Sequence, residues 1–446
     1  MIMDDDTKFE KDTRDKNILQ APRGMRDVLP SESVALNTVR DACREVARIF
    51  DYREIVTPIV EDIGVFARTV GDDSDLVQKE MYTFDDRGGE QLALRPENTA
   101  GVCRAYIEHG MKSLPQPVRL WYFGSFFRYD RPQAGRYRQL TQFGIEAIGS
   151  EDPSLDAEVI SLQSKLYKSL GLDDIRLGIN SIGTQSSRSN FLRALEEYLR
   201  EFEAELSQDS QRRLKTNPMR IIDSKDMTDQ EIIKGAPKIL DFLSEGDEAH
   251  FHRVTSDLDS LGISYDIDHS IVRGLDYYTH TVWEFEPIGA SGQSTLGGGG
   301  RYDGLIEELG GPSTPGVGFA TGIERILINL LDKGLIDQEV IPPDVFFIAL
   351  GSEGHNSAVK LAMELRDHGI SVKAGVGGRS MKSLMRAANN SGAFVAVVIG
   401  DEEVTEQSAT IRILRDSIDS DRNLKVSQAN LVPAIKDILS QSVADA

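Results

Sequence analysis

Residues 127–146 have the sequence Phe-Arg-Tyr-Asp-Arg-Pro-Gln-Ala-Gly-Arg-Tyr-Arg-Gln-Leu-Thr-Gln-Phe-Gly-Ile-Glu. Runs of strand-forming residues at 118–129 and 140–148 flank the polar loop, and this pattern predicts a β-hairpin. Residues 119–146 contain five arginines, two acidic residues and no lysine. Because the guanidinium fork suits bidentate phosphate binding, arginines interleaved with aromatic residues favour a nucleotide or RNA site. Solvent-facing arginines on an ordinary strand pair have the same composition, so composition alone leaves both interpretations open.

Three further blocks accompany this hairpin along the chain. They are Leu94-Arg95-Pro96-Glu97-Asn98-Thr99-Ala100, then Val272-Arg273-Gly274-Leu275-Asp276-Tyr277-Tyr278-Thr279, and finally Gly298-Gly299-Gly300-Arg301-Tyr302-Asp303 followed by Gly322-Ile323-Glu324-Arg325. The hairpin resembles the second signature motif of class II aminoacyl-tRNA synthetases, and all the blocks together resemble the histidyl-tRNA synthetase family. The resemblance extends from residue 21 to about residue 440, and the block at 272–279 is its most diagnostic part.

The resemblance implies an α+β fold. Its core is an antiparallel sheet flanked by helices, with a helical insertion and a C-terminal α/β anticodon-binding domain. A length of 446 residues is consistent with about three domains. The predicted parts are a flexible N-terminal extension at 1–20, a catalytic core at 21–189 and 261–335, a helical insertion at 190–260, and the C-terminal domain at 342–446.

Local patterns predict the elements around these blocks. Apolar residues at helical spacing predict a helix at 34–50, capped by Ser31 or Ser33. The β-branched run at 54–60 predicts a strand, and Pro58 favours a sheet edge or an interface for it. The other predicted strands are 91–94, 272–285, 297–304, 345–350, 371–374 and 393–399, and the other predicted helices are 321–331, 356–368 and 381–388.

The chain is acidic, with 50 lysines and arginines against 72 acidic residues and a formal net charge of −22. A polyanionic partner therefore requires local basic clusters. The two cysteines are too few for a disulfide framework, and the N-terminus lacks the apolar segment of a signal peptide. No run approaches the roughly 18 consecutive apolar residues that a membrane span needs. These features predict a cytoplasmic protein.

By its resemblance to the family, the protein is expected to activate L-histidine with ATP and to transfer the histidyl group to the terminal adenosine of tRNA(His). Joining a carboxylate to the α-phosphate requires fixed positive charges around two anions. The resemblance implies that Arg128 binds the α-phosphate and that Arg325 lies over the adenine and reaches the γ-phosphate. Arg273 is expected to bridge the histidine carboxylate and the α-phosphate.

The same resemblance assigns the histidine site. Glu97, Thr99 and Gln142 are expected to bind the α-amino group, while Glu146 and Tyr278 bind the imidazole. The full set of expected histidine-site residues is Glu97, Asn98, Thr99, Gln142, Glu146, Arg273, Tyr277 and Tyr278. Buried polar groups that bond a ring nitrogen reject analogues lacking it by roughly 10⁴-fold, so no editing domain is expected.

The sequence departs from the family pattern at three of these positions. Asp130, expected at the ATP site, replaces the usual Glu and has a shorter side chain. Leu140, also expected at the ATP site, stands where Phe commonly stacks on the adenine. Asn98 replaces a common Gly. The charged residues required for the reaction are all present.

Two basic clusters are candidate tRNA contacts. In the hairpin loop, the residues expected at the tRNA acceptor end are Arg131, Gln133 and Arg136. Residues 369–400 contain four basic residues and no acid. Arg379, Lys382 and Arg386 are spaced to share one helix face, which suits an anticodon stem-loop. A solvated basic helix face is the simpler alternative.

The resemblance also implies a homodimer, because the helix at 34–50 and the strand at 54–60 resemble the family's dimer-forming motif. Mg²⁺ is expected with ATP, held by phosphates and one or two carboxylates. The seven histidines form no metal-ligand set.

Two other functions remain open. A regulatory paralogue of ATP phosphoribosyltransferase shares the fold, but such paralogues typically lose the arginine–tyrosine block and the basic C-terminal domain. A class II enzyme for another amino acid is disfavoured by the block at 272–279.

Overall fold

The computed structural model describes residues 19–70, 79–272, 277–289, 295–375, 380–415 and 423–444. The predicted N-terminal extension lies outside these ranges apart from its last two residues. The described chain divides into two compact units, one ending at Gln338 and the other beginning at Glu339. Within the described ranges, no helix combines the length and the apolar character that crossing a membrane would require.

The first unit is a mixed helix and sheet structure. Its strands are β1 (Arg53–Glu54), β2 (Val60–Asp62), β3 (Tyr82–Asp85), β4 (Gln91–Leu94), β5 (Val118–Phe127), β6 (Gln139–Ile148), β7 (Ile175–Ser181), β8 (Asp266–Ile267), β9 (Thr279–Pro287), β10 (Gly297–Arg301) and β11 (Gly316–Gly322). Its helices are α1 (Pro30–Ile49), α2 (Ile63–Val70), α3 (Thr99–Glu108), α4 (Ser154–Ser169), α5 (Gln185–Glu201), α6 (Gln208–Thr216), α7 (Met219–Ile222), α8 (Met227–Ile233), α9 (Glu245–Ser260), α10 (Leu305–Glu308) and α11 (Ile323–Asp332).

An eight-stranded sheet in the order β1-β5-β6-β11-β10-β9-β7-β8 organises this unit. Its six inner strands pair antiparallel, and the edge strands β1 and β8 pair parallel with their neighbours. Strands β5 and β6 form the predicted hairpin, in register from Val118 opposite Ile148 to Phe127 opposite Gln139. Strands β2, β4 and β3 form a separate three-stranded antiparallel sheet.

The glycines of β10 allow its neighbours to approach closely. A Cβ on Gly299 would lie 2.1 Å from the carbonyl oxygen of Gly318 on β11 and 2.7 Å from the ring of Trp283 on β9. Only glycine fits at such a distance without displacing backbone. The glycines of the block at 298–303 are therefore a packing requirement of the sheet.

Two apolar clusters cover this sheet. One joins residues of α1, α4, α9 and α11 to the strands, with Trp283 fully buried in it. The indole Nε1 of Trp283 donates to Gln163 Oε1 over 2.7 Å, so its polar atom is also satisfied. The other cluster joins α3, α5 and the shorter helices that follow. Between Gln185 and Ser260, the described chain is helical or irregular and contains no strand.

Several local predictions were wrong. The helices predicted at 34–50 and 356–368 begin at Pro30 and Gly351, and the strand predicted at 297–304 ends at Arg301. Residues 54–60 are not one strand, because β1 ends at Glu54 and β2 begins at Val60, with Pro58 in the irregular segment between them. The helix predicted at 321–331 begins at Ile323, since Thr321 and Gly322 end β11. Helix α1 is not capped by Ser31 or Ser33; it begins at Pro30, and the Glu32 carboxylate accepts from the Leu29 amide over 3.0 Å.

The second unit is a five-stranded α/β domain. Its elements are β12 (Val345–Ala349), α12 (Gly351–Asp367), β13 (Val372–Ala374), α13 (Met381–Asn390), β14 (Val395–Ile399), α14 (Asp401–Thr405), β15 (Ser408–Ile413), β16 (Asn423–Ser427) and α15 (Leu431–Ala444). The sheet order is β13-β12-β14-β15-β16, parallel in its first three strands and antiparallel after β14. The apolar inner strands are covered by α12, α13 and α15, as expected of a buried, mostly parallel sheet.

Candidate active site

A cavity of about 560 Å³ lies on the large sheet of the first unit. Residues of β5, β6, β9, β10 and β11, together with the segments at 128–137, 268–272 and 277–278, form much of its lining. The predicted site residues that line it are Glu97, Thr99, Arg128, Asp130, Arg136, Leu140, Gln142, Tyr277, Tyr278 and Arg325. The fold thus brings together residues that are more than 200 positions apart in the sequence. Arg273 and Arg379, two further predictions, lie outside the described residues.

Glu97 lies just before α3, and its carboxylate caps the start of this helix. Its Oε2 accepts from the Thr99 amide over 2.6 Å, and its Oε1 accepts from the Ala100 amide over 3.0 Å. Burial raises the pKa of this carboxyl, and the two amides partly offset the rise. Each oxygen retains a second lone pair, so the carboxylate at the cavity edge can also accept from an ammonium group.

Glu146 is fully buried and does not line the cavity. Its Oε1 accepts from the Thr99 hydroxyl over 2.7 Å, and its Oε2 accepts from the Tyr302 hydroxyl over 2.5 Å. Both of those donors line the cavity, so Glu146 lies directly behind them. Desolvation raises its pKa to about 8, even though these hydrogen bonds act in the opposite direction.

Gly318 makes room for this carboxylate. It lies opposite Glu146 in the pairing of β11 with β6, and a Cβ there would lie 2.1 Å from Glu146 Oε2. Gly316, two residues earlier on the same strand, makes room in the same way for the ring of Tyr302. The two glycines therefore determine the positions of both partners of this hydrogen bond.

Three tyrosines complete this end of the cavity. The rings of Tyr277 and Tyr278 lie 4.7 Å apart between centroids, and Tyr277 meets Tyr302 edge-on at 6.1 Å. All three are buried. Burial raises the pKa values of Tyr277 and Tyr302 well above the ordinary tyrosine range. Gln142 also lines the cavity, and its Oε1 is buried without a hydrogen-bond partner in the described residues.

The Asn98 side chain points away from the end of the cavity that Glu97, Thr99 and the tyrosines form. Its side chain does not line the cavity, and its Oδ1 instead accepts from the Thr57 hydroxyl over 2.6 Å. The structure thus separates Asn98 from Glu97 and Thr99, the predicted histidine-site residues on either side of it. The reason is helical geometry, since successive residues at a helix start project in different directions.

The other end of the cavity is basic. Arg128 donates from Nε to the Pro96 carbonyl over 2.9 Å, and Arg325 donates to the carbonyls of Gly135 and Thr295. Both arginines are thus held by backbone oxygens, and these bonds leave the positive charge of each guanidinium without a negative partner. Burial, followed by the nearby Arg136 and Arg128, lowers the pKa of Arg325. A cluster of cations that repel one another suits a polyanion.

The ATP-site predictions Asp130 and Leu140 both line this basic end. Asp130 is already paired, because Arg136 donates to its carboxylate. Glu324, which was given no role from the sequence, is half-buried beside them and accepts from the Thr141 amide over 2.8 Å. Burial raises the pKa of the Glu324 carboxyl.

Comparison with models of known protein families identifies the family of this chain. A family model described as histidyl-tRNA synthetase matches residues 24–326, and one described as an anticodon binding domain matches residues 344–438. This chain belongs to the histidyl-tRNA synthetase family. The family, the α+β fold class and the ligase activity predicted from the sequence are thereby confirmed.

Individual relatives agree with the family assignment. The histidine–tRNA ligase of Dehalococcoides mccartyi is 44% identical over 398 residues, which cover 89% of this chain and 95% of that protein. The corresponding ligase of Geobacillus thermodenitrificans is 47% identical over 396 residues, covering 88% of this chain and 93% of that one. The crystal structure of apo S. aureus histidyl-tRNA synthetase matches with a TM-score of 0.77 at 39% identity, covering 94% of this chain and 100% of the other.

Several residues that line the cavity of this histidyl-tRNA synthetase were not predicted from its sequence. Glu284 and Glu286 on β9 both accept from the Thr295 hydroxyl, over 3.0 and 3.1 Å. Their spacing of two places both side chains on one face of the strand, and this alternation was the available signal. Tyr302 was interpreted only as the end of a strand, because nothing in its local sequence indicates the contact with Glu146.

The predicted tRNA contacts lie in two places. Arg131 and Gln133 are exposed in the loop between β5 and β6, while Arg136 is half-buried and paired with Asp130. Lys382 and Arg386 are exposed one turn apart on α13 in the second unit. Their common face agrees with the predicted spacing.

Proposed function

We propose that this cavity joins L-histidine to ATP as histidyl-adenylate, and that the histidyl group is then transferred to the terminal adenosine of tRNA(His). The observation that carries the proposal is the division of one cavity into a buried carboxylate and tyrosine end and a basic end. A small cationic amino acid fits the first, and a triphosphate fits the second. The two reacting groups meet where these ends adjoin.

We assign the histidine end as follows. Glu97, Thr99 and Gln142 bind the α-amino group, which is supported by their free acceptor capacity at the cavity edge. Glu146 and Tyr278 bind the imidazole, and Tyr277 lines the pocket. Two contacts of Glu146 support this role: its carboxylate accepts from the Thr99 and Tyr302 hydroxyls that line the cavity, and Gly318 leaves space beside it.

At the basic end, the histidine carboxylate attacks the α-phosphorus and pyrophosphate leaves. Negative charge increases on the phosphoryl oxygens in the pentacoordinate transition state, so fixed cations there lower the barrier. Arg128 binds the α-phosphate, Arg325 binds the γ-phosphate and adenine, and Arg273 bridges the carboxylate and the α-phosphate. Asp130 and Leu140 complete the adenosine site. The carbonyl anchors of Arg128 and Arg325 support these roles, because they hold the side chains before ATP arrives.

Mg²⁺ is proposed to accompany ATP. In the described residues, no group of three or more His, Cys, Asp or Glu side chains is arranged to hold a metal ion by itself. Glu284 and Glu286 nevertheless offer two neighbouring carboxylates at the cavity, which fits an ion held mainly by phosphates. The ion would neutralise phosphate charge when bound.

For tRNA, we assign Arg131, Gln133 and Arg136 to the acceptor end and Arg379, Lys382 and Arg386 to the anticodon stem-loop. Changing Lys382 and Arg386 together to Ala should weaken tRNA binding about 10-fold and reduce its salt slope by about 1 to 2. Histidine activation without tRNA should not change. Lys360→Ala, an exposed lysine on α12, is the matched control. Equal losses in binding and activation would contradict the anticodon assignment.

A homodimer in the cytoplasm is proposed. The apolar side chains of Val56, Ile59 and Val60 are exposed around Pro58, where the sequence resembles the family's dimer-forming motif. Light scattering with Val56→Glu, which should give monomers, tests the dimer. Cys43 and Cys103 are unpaired and buried, which supports a reducing compartment. Fractionation of the source cells tests the compartment.

The decisive assay is amino-acid-dependent exchange of pyrophosphate into ATP across all twenty amino acids, with Arg273→Ala as the inactive control. Exchange with histidine alone is the expected result. Histidine binding without exchange would favour the regulatory paralogue, and exchange with a different amino acid would favour another class II enzyme.

A further inference from the structure

Three buried side chains behind the histidine end bond to one another: Thr57, Arg95 and Asn98. The Thr57 hydroxyl donates to Asn98 Oδ1 over 2.6 Å, and Arg95 Nη1 donates to Thr57 Oγ1 over 2.9 Å. Arg95 Nη1 also reaches Asn98 Oδ1 at 3.5 Å. Their exposed fractions are 5%, 6% and 2%, and none of the three lines the cavity.

Arg95 anchors this Thr57–Arg95–Asn98 cluster to the sheet. Its Nε donates to the Ser125 carbonyl of β5 over 3.0 Å, and its Nη1 donates to the Thr57 carbonyl over 3.1 Å. Its guanidinium also packs on the ring of Phe126 at 4.6 Å. Gly124 leaves space for it, since a Cβ there would lie 2.5 Å from Nη2. The cluster therefore joins the segment before β2, strand β5 and the start of α3.

Asn98 occupies the N-cap position of α3 without capping it. An N-cap Asn normally accepts from an amide of the first helical turn, but this side chain makes no such bond. Glu97 accepts from those amides instead. The Asn98 Nδ2 has no hydrogen-bond partner in the described residues. All the hydrogen bonding of the Asn98 side chain is therefore committed to Thr57 and Arg95.

We propose that Asn98 is a positioning residue, and that its bonds to Thr57 and Arg95 fix the direction in which Glu97 and Thr99 face the histidine. This inference rests on the proposed function. A rotation at Asn98 would turn the two residues beside it, so the cluster acts through them and touches no substrate. Glycine, the common residue of the family pattern here, has no side-chain acceptor for Thr57 or Arg95 and would leave this turn less restrained.

The effect should fall on histidine and spare ATP. Arg128 donates to the backbone carbonyl of Pro96 and to no side chain of the cluster, and Arg325 is held by the carbonyls of Gly135 and Thr295. Loss of the Thr57 hydroxyl should therefore loosen Glu97 and Thr99 and leave ATP binding intact. A merely structural role would weaken both ligands together.

Thr57→Val removes the hydroxyl at nearly constant volume, and Thr57→Ser retains it. Titration calorimetry of the full chain with histidine and, separately, with ATP measures both affinities without requiring catalysis. We expect Thr57→Val to weaken histidine binding about 5- to 20-fold and ATP binding less than 2-fold, with Thr57→Ser within 2-fold of wild type for both. Asn98→Gly should match Thr57→Val, and it supplies a second test if the valine variant fails to fold.

Wild-type histidine affinity in both Thr57→Val and Asn98→Gly would overturn the proposal. Equal losses for histidine and ATP, or equal losses in Thr57→Val and Thr57→Ser, would also overturn it, because the cluster would then be only structural. A wild-type protein that binds no histidine would instead reject the proposed function itself.

Discussion

The two ends of the cavity differ in charge and in how deeply their charged side chains are buried. At the histidine end, Glu97 and Glu146 are almost completely removed from water, and burial raises the pKa of each. At the basic end, Arg128 and Arg325 are only partly buried and donate to backbone carbonyls. Buried, hydrogen-bonded groups discriminate between small ligands, because an analogue leaves them unpaired. Fixed cations stabilise charge that develops during the reaction.

The comparison also explains which partners surround each group. Glu146 has hydroxyl donors from Thr99 and Tyr302, whose positions depend on the sheet. The arginines have no carboxylate partner in the bonds that anchor them, so their charge remains available to phosphate. Arg136, which pairs with Asp130, is the exception at this end.

The largest effect should come from the basic end. Arg128→Ala should lower the rate of histidine-dependent pyrophosphate exchange by about 10³-fold with histidine affinity unchanged, because the cation acts on the transition state. Arg119→Ala is the matched control, since Arg119 lies on β5, the strand that ends just before Arg128, but pairs with Glu158 away from the cavity. Steady-state exchange and calorimetry measure both quantities. Similar losses of exchange rate in Arg128→Ala and Arg119→Ala would contradict a specific role of Arg128 in the transition state.

A smaller effect should separate the carboxylates of Glu146 and Glu324. Glu146→Gln should weaken histidine binding by roughly 10- to 100-fold and leave ATP binding within twofold. Glu324→Gln, at the opposite end, should show the reverse preference. Calorimetry with each ligand tests this crossed pattern. If both variants weakened the same ligand, the two ends would not be independent.

The pH dependence of the free energy of unfolding should reflect the protonation of the Glu146 carboxyl. Its folded pKa of about 8 exceeds its ordinary value of 4.5. Between these values the folded state retains a proton that the unfolded state has lost, so the free energy of unfolding falls as pH rises. This contribution is complete below pH 4.5 and is lost by about pH 8, at roughly 1.4 kcal/mol per pH unit.

Urea unfolding of wild type and Glu146→Gln at pH 5.5, 6.5 and 7.5 measures this contribution. The stability of the variant relative to wild type should rise with pH, because glutamine does not titrate. Glu201→Gln, an exposed position at the end of α5, should give a constant difference. If the stability of Glu146→Gln relative to wild type were constant or fell as pH rises, the carboxyl would lie in a wetter site.

The smallest effect concerns the adenosine site. Leu140→Phe should lower the KM for ATP by about 2- to 5-fold, because a ring adds stacking where Leu140 supplies only apolar contact. Leu140→Ala, measured in the same exchange assay, should raise that KM. An increase with Phe would show that this cavity has adapted to the smaller side chain.

The local patterns predicted much of this molecule. The hairpin of β5 and β6 was predicted correctly because two runs of strand-forming residues and the polar loop between them lie within about 30 residues. The strand at 54–60 was wrong because Pro58 interrupts hydrogen bonding, and sequence alone did not indicate whether it would end the strand. Strand β11 was not predicted, since its short, glycine-rich sequence carries little strand signal.

Short motifs in the sequence were enough to predict the family, the chemistry and ten of the residues that line the cavity. The surroundings of Glu146 and the direction of Asn98 depend on tertiary contacts that no local pattern encodes. The first depends on the register that sets Gly318 opposite Glu146, a contact between residues far apart in the chain. The second depends on Thr57, which lies 41 positions before Asn98 and reaches it through folding. Short-range patterns encode residue types, whereas long-range packing determines what those residues contact.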